Sequence, residues 1–478
     1  MVTDLDIDIA SELSHPVFRR IGEAADSMGR EVYVVGGYVR DIFLRRTSGD
    51  IDFVTVGSGI ELAQEVARRL GKGARLSVFA TYGTAQVKYN GLELEFVGAR
   101  RESYSRDSRN PIVEDGTLDD DISRRDFTVN AMAVSLNENS FGELVDRFDG
   151  LSDLRSGILR TPLDPDITFS DDPLRMMRAI RFATQLGFRI DQEAFEAIRR
   201  NAHRMEIITR ERINDELGKI IRASRPSVGF LLLDMAGILP MIMPELCALK
   251  GVETKDGRGH KDNFRHTLQV LDNVAGKSDN EWLRWAALLH DVAKPVTKRY
   301  DKSLGWTFHN HNFIGEKMVP RIFRRMKLPL NEKMKYVAKL VGLHMRPQSV
   351  GEEGVSDSGV RRMITDAGED LEDLMTLAEA DITSKNPEKV RRILASFAQL
   401  RERISNINEA DNWRTWRNPV NGNEIMDYFG IPGSPVISEL KNAVKEAIFD
   451  GRVANNHDAA WAYLISIAPS FGLPVKEM

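Results

Sequence analysis

Short apolar runs alternate with helical stretches over the first 100 residues of the chain. Apolar residues at helical spacing predict three helices, at 14–28, 38–46 and 59–70. Short apolar runs predict five strands, at 31–35, 51–56, 75–79, 84–89 and 92–97. Asn90-Gly91, between the last two runs, is typical of a β-hairpin turn. We therefore expect an N-terminal α+β domain, a mixed sheet backed by helices, of about 150 residues.

The rest of the chain has a different pattern. Residues 100–121 are polar and lack periodicity, which predicts a loop. After Pro173 the spacing of apolar residues is helical to the last residue. Polar breaks divide the chain, near Arg160, at 250–259 and at Asn386-Pro387. The predicted domains, of which the last three are all-α, are 1–160, 161–250, 251–386 and 387–478.

The composition is that of an ordinary folded protein, with 42% apolar and 29% charged residues among 478. A single cysteine, Cys247, excludes an intramolecular disulfide and a multi-cysteine zinc site, so a metal would need His, Asp or Glu. The start of the sequence lacks the basic and apolar regions of a signal peptide. The longest apolar stretch, 230–243, contains Asp234 and Pro240 and is shorter than the ~20 residues of a membrane span. We expect a cytoplasmic protein with no membrane partner.

Charge is distributed unevenly along the chain. The net charge of −5 argues against a protein that simply coats nucleic acid. Residues 317–346, however, carry nine Lys or Arg and one acid, a local charge of +8. Such a stretch either contacts phosphates or is a solvated helical face without a partner, and charge alone does not decide between the two.

Two carboxylates stand at the head of the second predicted strand. Asp50 and Asp52 are two residues apart, so both side chains point to the same face of the strand. Such a pair repels unless a cation lies between its members, and hard oxygen ligands suit Mg²⁺. Glu95, on a later strand, is a candidate third carboxylate. Upstream, Gly36-Gly37 ends a strand and opens a helix, where backbone N–H groups can approach a phosphate.

The sequence RRDFTVNA at 124–131 combines two arginines with an acid and an amide. Arg125, Asp126 and Asn130 are suited to contact a triphosphate and a ribose. The plainer alternative is the start of a helix that Asp126 or Thr128 caps.

Three arginines recur in DDPLRMMRAIRF at 171–182. Arg175, Arg178 and Arg181 are three residues apart, which keeps them on adjoining parts of one helical face. Their mutual repulsion favours a bound anion against this face. The alternative is a solvated surface on which the three side chains extend into water.

These motifs resemble those of the class II tRNA nucleotidyltransferases, that is, the CCA-adding enzymes and the related bacterial poly(A) polymerases. RRDFTVNA is highly characteristic of them, and a downstream motif resembles the C-terminal part of bacterial members. The resemblance implies a polymerase-β-like nucleotidyltransferase head over 1–160, a base-reading and RNA-binding neck over 161–250, and C-terminal RNA-binding helices over 387–478. The matching strings are GGYVRD (36–41), GDIDF (49–53), RRDFTVNA (124–131), DDPLRMMRAIRFA (171–183), ERINDEL (211–217) and GNEIMDYFGIPGSP (422–435).

The resemblance also implies a role for individual residues. Asp50 and Asp52 would be catalytic and hold two Mg²⁺ ions, with Glu95 as the further candidate. Asp172 and Arg175 match the pair that reads the base, although the Glu-Asp usual at this point of the family pattern is Asp-Asp in this chain. Nucleotide contacts are expected from Gly36, Gly37, Arg40, Arg125, Asp126, Asn130, Arg178 and Arg181.

Side chains alone are able to select the nucleotide. Cytosine and adenine both present an amine donor beside a ring-nitrogen acceptor, whereas uracil and guanine present a carbonyl and an N–H. A carboxylate with a guanidinium, from Asp172 and Arg175, therefore admits C and A. The implied reaction is attack of an RNA 3′-hydroxyl on the α-phosphorus of CTP or ATP, with release of pyrophosphate.

A second set of polar residues follows residue 260, inside otherwise apolar helical stretches. Imidazole combined with carboxylate suits Mn²⁺, Ni²⁺, Fe²⁺ or Zn²⁺ better than Mg²⁺. His309 is an alternative to His311 within this set. The candidate metal ligands are His266, His290, Asp291, His311, His344 and Asp381.

This set resembles the H…HD…D signature of the HD phosphohydrolase superfamily, which would occupy 251–386. The string HD-x-GK common in that superfamily is HDVAK here, with Ala293 in place of glycine. His311 and His344 fall where members with two metals have additional ligands. The resemblance implies a metal centre that activates water to hydrolyse a phosphate ester, as a phosphatase or 2′,3′-cyclic phosphodiesterase. The sequence leaves open whether this centre is catalytic.

The sequence therefore predicts an enzyme that adds C and A to the 3′ end of tRNA, with an appended metal-dependent phosphohydrolase. The shared head motifs leave a poly(A) polymerase, or an enzyme that adds only A or only CC, as alternatives. A hydrolase whose head merely binds RNA is a rival of another class, and the intact aspartate pair argues against it. We expect tRNA to be recognised by its shape and phosphates, along helices that follow residue 190.

Overall fold

The structure is a computed structural model that describes residues 7–47, 49–103, 112–351, 356–384, 386–411 and 413–473. The chain divides into two compact units, Met1–Pro244 and Glu245–Met478. The finer division into four domains stays a prediction. None of the helices in the described residues is long and apolar enough to cross a bilayer. The cytoplasmic location expected from the sequence also stays a prediction.

A seven-stranded mixed sheet forms the centre of the N-terminal unit, in the order β3-β4-β5-β2-β1-β8-β9. β2 and β5 are parallel, and the other neighbouring strands are antiparallel. The five predicted strands are confirmed to within one residue at each end. The strands are β1 (Val32–Val35), β2 (Asp50–Thr55), β3 (Arg75–Phe79), β4 (Thr84–Tyr89), β5 (Leu92–Gly98), β6 (Arg100–Ser103), β7 (Ile112–Asp115), β8 (Ala133–Ser135) and β9 (Leu144–Val145).

The predicted hairpin joins β4 to β5. Asn90 and Gly91 have φ values of +48° and +83°, the left-handed conformations that a type I′ turn requires. Apolar residues of the adjacent strands then meet in the core, where the Phe53 and Phe96 rings stack with centroids 5.0 Å apart. The turn sets the register of β4 against β5, and the aromatic pair stabilises the register of β2 beside β5.

Helices cover the sheet and continue beyond it. The three helices predicted before residue 100 are confirmed, with small differences at their ends. The longer helices of this unit are α1 (Pro16–Ser27), α2 (Gly37–Phe43), α3 (Gly59–Leu70), α4 (Leu118–Ser123), α5 (Gly150–Ser156), α6 (Pro165–Asp171), α7 (Leu174–Leu186), α8 (Gln192–Asn201), α9 (Arg210–Ile221) and α10 (Pro226–Met235).

The prediction of a loop over 100–121 was wrong for the residues that the structure describes there. β6 and β7 form an antiparallel ribbon, and α4 follows directly. The register sets Arg100 opposite Asp115 and Arg101 opposite Glu114, so a basic strand pairs with an acidic one. A search for alternating apolar residues does not detect such a strand, because charged residues face each other in two of its register pairs. Residues 104–111 lie outside the described part of the chain.

The C-terminal unit is mostly helical, as predicted. Two short antiparallel strand pairs interrupt the helices: β10 (Thr254–Lys255) with β11 (Arg258–Gly259), and β12 (Arg299–Asp301) with β13 (Gly305–Thr307). The longer helices are α11 (Asn263–Ala275), α12 (Glu281–Leu289), α13 (His311–Met326), α14 (Glu332–Leu343), α15 (Asp357–Ala367), α16 (Leu371–Ala380), α17 (Pro387–Asp411), α18 (Gly422–Phe429), α19 (Pro435–Phe449) and α20 (His457–Ile467).

The basic segment 317–346 lies mainly on α13 and α14. Acids from other parts of the same unit neutralise some of its charge. Arg325, Lys339 and Arg346 pair with Glu245, Asp370 and Asp366, respectively. These ion pairs favour the solvated helical face over a continuous phosphate-binding surface.

Candidate active sites

The first candidate site lies where β1 ends and α2 begins. The chain turns there at Gly36, whose φ of +74° is unfavourable for any residue with a side chain. A Cβ atom on Gly36 would also lie only 2.8 Å from Nη1 of Arg125. Glycine is therefore required both by the backbone conformation and by the approach of a guanidinium to the turn.

Three carboxylates face a cleft of about 570 Å³ beside this turn. Asp50 and Asp52 share one face of β2, and Asp52 is the register partner of Glu95 on β5. Burial raises the pKa of Asp52; Arg125 opposes this rise, and the charge of Asp50 adds to it. The pKa of Glu95 is raised by burial and by the two aspartates.

These pKa directions mean that burial, with a smaller contribution from the neighbouring carboxylates, disfavours the ionised forms of Asp52 and Glu95. A divalent cation beside Asp50 and Asp52 would supply positive charge and favour their ionised forms. Their carboxylate oxygens are hard donors of the kind that Mg²⁺ prefers. The residues present therefore fit the predicted magnesium ions.

Arg40 reaches the cleft from α2 and is held by two side chains. Its Nη1 donates to Oδ1 of Asn130 at 2.8 Å, and its Nε donates to Oδ1 of Asp41 at 2.9 Å. Asn130 donates in turn through Nδ2 to Asp126 at 3.0 Å. Because Arg40 is buried, with only 8% of its surface exposed, these bonds fix the orientation of its guanidinium.

Asp126 has both carboxylate oxygens occupied by protein donors. Oδ1 accepts from Asn130 and from the backbone N–H of Phe127, while Oδ2 accepts from Nε of Arg178 at 2.7 Å. Burial opposes ionisation of Asp126, yet Arg178 and Asn130 hold its pKa below the usual value. Asp126 thus orients Arg178, and the nucleotide contact expected of it is indirect.

Asp121 was not among the predicted site residues, although it organises one of them, Arg125, together with Arg124. It is completely buried on α4 and accepts from Arg124 at 2.6 Å and from Arg125 at 3.0 Å. Burial alone would raise the pKa of Asp121, but Arg125 and Arg124 lower it. The available signal was its spacing from Leu118, which puts an acid on the buried face of a helix.

The helix α7 carries the three arginines that the sequence predicted to share one face. Arg175, Arg178 and Arg181 all line the cleft. Arg181, however, also donates to Glu216 of α9 at 2.5 Å, and burial lowers the pKa of Arg181 while Glu216 opposes this effect. Arg178 and Arg181 therefore have protein carboxylates as partners, Asp126 and Glu216. The sequence-based expectation of a bound anion, drawn from the mutual repulsion of the three arginines, had not considered these carboxylates.

Asp172 and Arg175 lie at the start of α7. Oδ1 of Asp172 accepts from the backbone N–H of Leu174 at 3.1 Å, and its Oδ2 lies 3.7 Å from Nη2 of Arg212. Arg175 donates to the backbone carbonyl of Arg124 at 2.7 Å. Both residues line the cleft, which therefore offers a carboxylate and a guanidinium from the start of the same helix.

Phe182 is a further lining residue that sequence reasoning missed. Its ring centre lies 5.0 Å from the guanidinium carbon of Arg40, 5.4 Å from that of Arg178 and 3.8 Å from that of Arg181. The electron-rich face of an aromatic ring attracts such cations. Phe182 therefore holds three mutually repelling guanidinium groups near one point of the cleft.

The second candidate site lies in the C-terminal unit, where all six predicted ligands come together in two trios of close ligand atoms: His266, His290 and Asp381; Asp291, His311 and His344. Nε2 of His266 lies 2.9 Å from Oδ1 of Asp381. Nε2 of His290 lies 3.2 Å from Oδ2 of Asp291, whose other oxygen lies 3.4 Å from Nε2 of His311. Asp291 thus stands between the two trios.

Hydrogen bonds at the opposite ring nitrogens orient these histidines. Nδ1 of His290, His311 and His344 lies 2.7–2.8 Å from the carbonyl oxygens of Ala287, Phe308 and Val341, respectively. Nδ1 of His266 lies 2.7 Å from the hydroxyl of Thr383. A proton on Nδ1 leaves the lone pair of Nε2 directed into the cluster, the arrangement usual for metal-binding histidine. Thr383 was not predicted from the sequence.

The donor set fits a transition metal. Nε2 of His290 is buried and makes no hydrogen bond of good geometry, although two carboxylates lie within 3.6 Å. Burial lowers the pKa of His290, but Asp291 and Asp381 outweigh it and raise that pKa to about 10. Burial and the charge of His290 lower the pKa of His344 to about 4. His309, the alternative to His311, is exposed and belongs to neither trio.

Comparison with known protein families gives three matches along the chain. Residues 32–160 match the family described as Poly A polymerase head domain, and residues 187–250 match a probable RNA and SrmB-binding site of polymerase A. Residues 263–386 match the HD domain. The first match contains Asp50 and Asp52, and the third contains all six ligands of the C-terminal unit.

Several curated proteins are similar in sequence. An A-adding tRNA nucleotidyltransferase of Deinococcus radiodurans is 32% identical over 352 residues, which are 72% of this chain and 78% of that protein. A CCA-adding enzyme of a Geobacillus species is 28% identical over 91% of this chain and 93% of its own length. An A-adding tRNA nucleotidyltransferase of Aquifex aeolicus is 42% identical over 195 residues, 40% of this chain, but the match spans only 23% of that protein.

A solved structure extends the likeness to the fold. It is a tRNA nucleotidyltransferase in complex with a primer tRNA and an incoming ATP analog, and it is 25% identical to this chain. The alignment covers 80% of this chain and 98% of that one, with a TM-score of 0.54.

Proposed function

We propose that this chain, which belongs to the family of tRNA nucleotidyltransferases and bacterial poly(A) polymerases, adds C and A to the 3′ end of tRNA from CTP and ATP. The observation that carries the proposal is the cleft of the N-terminal unit. There Asp50, Asp52, Arg40, Arg125, Asp172 and Arg175 all line one cleft. Transfer of a nucleotide needs these three elements together: a metal site, a phosphate site and a base-reading pair.

In the proposed reaction, the 3′-oxygen of the RNA attacks the α-phosphorus as its proton leaves. The bond from that phosphorus to the oxygen bridging to the β-phosphorus breaks, and pyrophosphate departs. Mg²⁺ held by Asp50 and Asp52 would activate the hydroxyl and stabilise the leaving oxygens. Arg40 and Arg125 contact the phosphates through guanidinium groups that Asn130 and Asp121 already hold in place. This prior orientation reduces the reorganisation needed when the triphosphate binds.

Base selection rests on Asp172 and Arg175. The Asp172 carboxylate accepts from the exocyclic amine of cytosine or adenine, and Arg175 donates to the adjacent ring nitrogen. Uracil and guanine would set a carbonyl against the carboxylate and an N–H against the guanidinium. Each mismatched polar contact costs about 1–3 kcal/mol. The protein thereby acts in place of a nucleic-acid template.

We expect Asp172→Asn to relax the preference for CTP over UTP by about ten-fold or more, because the amide presents a donor as well as an acceptor. The amide oxygen can still accept from Leu174 N–H, so the helix start is preserved. The measurement is kcat/KM for each of the four nucleotides. Asp171→Asn, which removes the neighbouring charge, is the control and should leave the preference unchanged. Unchanged selectivity in Asp172→Asn would contradict the base-reading role.

The complete function is tested with a tRNA that lacks its last three nucleotides, incubated with each labelled nucleotide and with CTP and ATP together. We expect incorporation of two C and one A in that order, followed by arrest. A second tRNA, which already ends in CC, separates the partial activities. Addition of A to it, with no addition to the shorter tRNA, would assign the A-adding activity named for two of the relatives, and addition of two C without A would assign a CC-adding enzyme. A long run of A would assign poly(A) polymerase activity, and no incorporation would contradict the proposal.

The proposal extends to the C-terminal unit as a metal-dependent phosphohydrolase. The supporting observation is the pair of ligand trios that share Asp291 between them. Mn²⁺, Ni²⁺, Fe²⁺ or Zn²⁺ bound there would lower the pKa of a bound water for attack on a phosphate ester. A 2′,3′-cyclic or terminal phosphate on RNA is the proposed substrate, since its removal frees the 3′-hydroxyl that the N-terminal site needs.

A further inference from the structure

A cavity of about 500 Å³ adjoins the metal ligands of the C-terminal unit. We propose that it binds the nucleoside of the hydrolysed RNA end, with the base against Phe308 and the phosphate between the ligand trios and three lysines. This inference rests on the proposed phosphohydrolase function. One wall of the cavity is formed by His266, His311 and Asp381. A phosphate at this wall would place the nucleoside in the remaining volume.

Another part of the lining is aromatic. Trp306 and Phe308 lie in and just after β13, and His260 makes edge-to-face contacts with both, at centroid distances of 5.6 and 5.8 Å. Nε2 of His260 accepts from the backbone N–H of Glu253, and its Nδ1 lies 2.7 Å from the carbonyl oxygen of Lys261. Since both ring nitrogens have partners, this part of the lining offers aromatic surface rather than polar groups. Flat aromatic surface of this kind stacks with nucleobases.

Phe308 links this aromatic lining to the metal cluster. Its carbonyl oxygen lies 2.8 Å from Nδ1 of His311, so the backbone of Phe308 orients a ligand while its ring lines the cavity. A base stacked on this ring therefore lies within one nucleotide of the ligand atoms. The substitution of Phe308 leaves the carbonyl in place, which makes the side chain testable separately from the metal site.

The charge of the cavity fits a phosphate. Lys261, Lys294 and Lys389 line it, whereas Asp381 is the single acid among its lining residues in the described part of the chain. Lys294 contacts both the metal ligands and the aromatic lining. Its Nζ donates to Oδ2 of Asp291 at 2.6 Å and lies 5.6 Å from the Phe308 ring centre. Lys294 already has the Asp291 carboxylate as a partner, so Lys261 and Lys389 are the lysines that leave the lining with an excess of positive charge for a phosphate.

The cavity adjoins a second cavity, which has room for the nucleotide that precedes the 3′-terminal one in an RNA strand. This second cavity, of about 560 Å³, shares Gln348, Lys389 and Ile393 with the first and runs along α17 past Arg392. A free mononucleotide would not require this extension. The geometry therefore favours the 3′-terminal nucleotide of an RNA strand over a free nucleotide.

The test is equilibrium dialysis of adenosine 3′-monophosphate with chelator-treated protein, in which hydrolysis cannot consume the probe. We expect Phe308→Leu to weaken binding by about ten-fold, the size of one lost base stack, and to leave binding of glycerol 2-phosphate unchanged. Phe308→Tyr should restore binding. Phe313→Leu, which alters an exposed phenylalanine of α13 outside the cavity, is the matched control. With Mn²⁺ present, Phe308→Leu should raise KM for the nucleotide and leave kcat unchanged.

Equal binding of the nucleotide by wild type and Phe308→Leu would overturn the proposal, as would an equal loss for glycerol 2-phosphate. A dinucleotide with a 3′-phosphate should bind more tightly than the mononucleotide. Equal affinity for the two would overturn the assignment to an RNA end. Binding that depends on Phe308 without any hydrolysis by wild type would refute the proposed hydrolase activity alone, so the two failures are distinguishable.

Discussion

Asp52→Asn is expected to lower the rate of nucleotide addition by at least about 10³-fold, because it would remove a charged ligand from the proposed metal site. The variant is nearly isosteric. Its folding should not suffer, since burial raises the pKa of Asp52 above the value in an unfolded chain. An ionised group with a raised pKa costs stability at neutral pH, and asparagine removes that cost in the metal-free protein. The measurements are single-turnover addition to tRNA and the melting temperature.

Glu93→Gln is the matched control for this experiment. Glu93 lies on β5, two residues before Glu95, and accepts from Lys88 at 2.6 Å and from Gln86 at 3.2 Å. It is not among the residues that line the cleft. We expect nucleotide addition at the wild-type rate, because Glu93 lies outside the cleft and its partly exposed ion pair with Lys88 contributes little to stability. Turnover of Asp52→Asn close to that of the control would refute the catalytic role of Asp52.

Loss of a ligand in the C-terminal unit should release its metal. We expect His290→Ala and Asp381→Asn to weaken binding of Mn²⁺ or Ni²⁺ by at least about 100-fold, since even partners outside the ligand set are worth 10–100-fold in affinity. The measurement is metal content by mass spectrometry after loading and desalting. His290 is fully buried, so its replacement by alanine leaves a cavity that can destabilise the fold. Asp381→Asn hardly changes the side-chain volume and therefore tests metal binding without a cavity.

His309→Ala is the control for metal binding, because His309 is an exposed histidine outside both ligand trios. Its metal content should equal that of wild type. Nucleotide addition by all three variants should persist if the N-terminal unit folds independently of this metal. Metal content in His290→Ala equal to that of His309→Ala would show that the trios do not hold the ion.

Local patterns were sufficient to predict most of the N-terminal sheet. The strands at 75–79 and 84–89 and the Asn90-Gly91 turn depend on neighbouring residues, so periodicity and turn chemistry identify them. The ribbon of β6 and β7 was missed, since opposite charges rather than apolar alternation match its strands. A pairing of this kind becomes visible only when the partner strand is known.

In the candidate sites, too, residues in short motifs were predicted from the sequence, whereas residues that act through contacts distant in sequence were not. Asp50 and Asp52 were predicted from their spacing, and the six histidine and aspartate candidates from their resemblance to the HD signature; the structure brings each set together. Glu216 and Thr383 were missed because each acts on a residue that the fold brings near. Glu216, for example, meets Arg181 across 35 positions of sequence, and Thr383 meets His266 across 117. Their functions depend on tertiary contacts that no short motif contains. Asp121 acts on Arg124 and Arg125, only three and four residues away, and was missed although its spacing placed it on the buried face of a helix.

A crystal structure of the protein with Mg²⁺ and CTP, grown without RNA, tests the central claim most directly. We expect metal density between the triphosphate oxygens and the carboxylates of Asp50 and Asp52, with the exocyclic amine of cytosine donating to the carboxylate of Asp172. A triphosphate bound elsewhere, or one bound in the cleft with neither aspartate contacting an ion, would contradict the account.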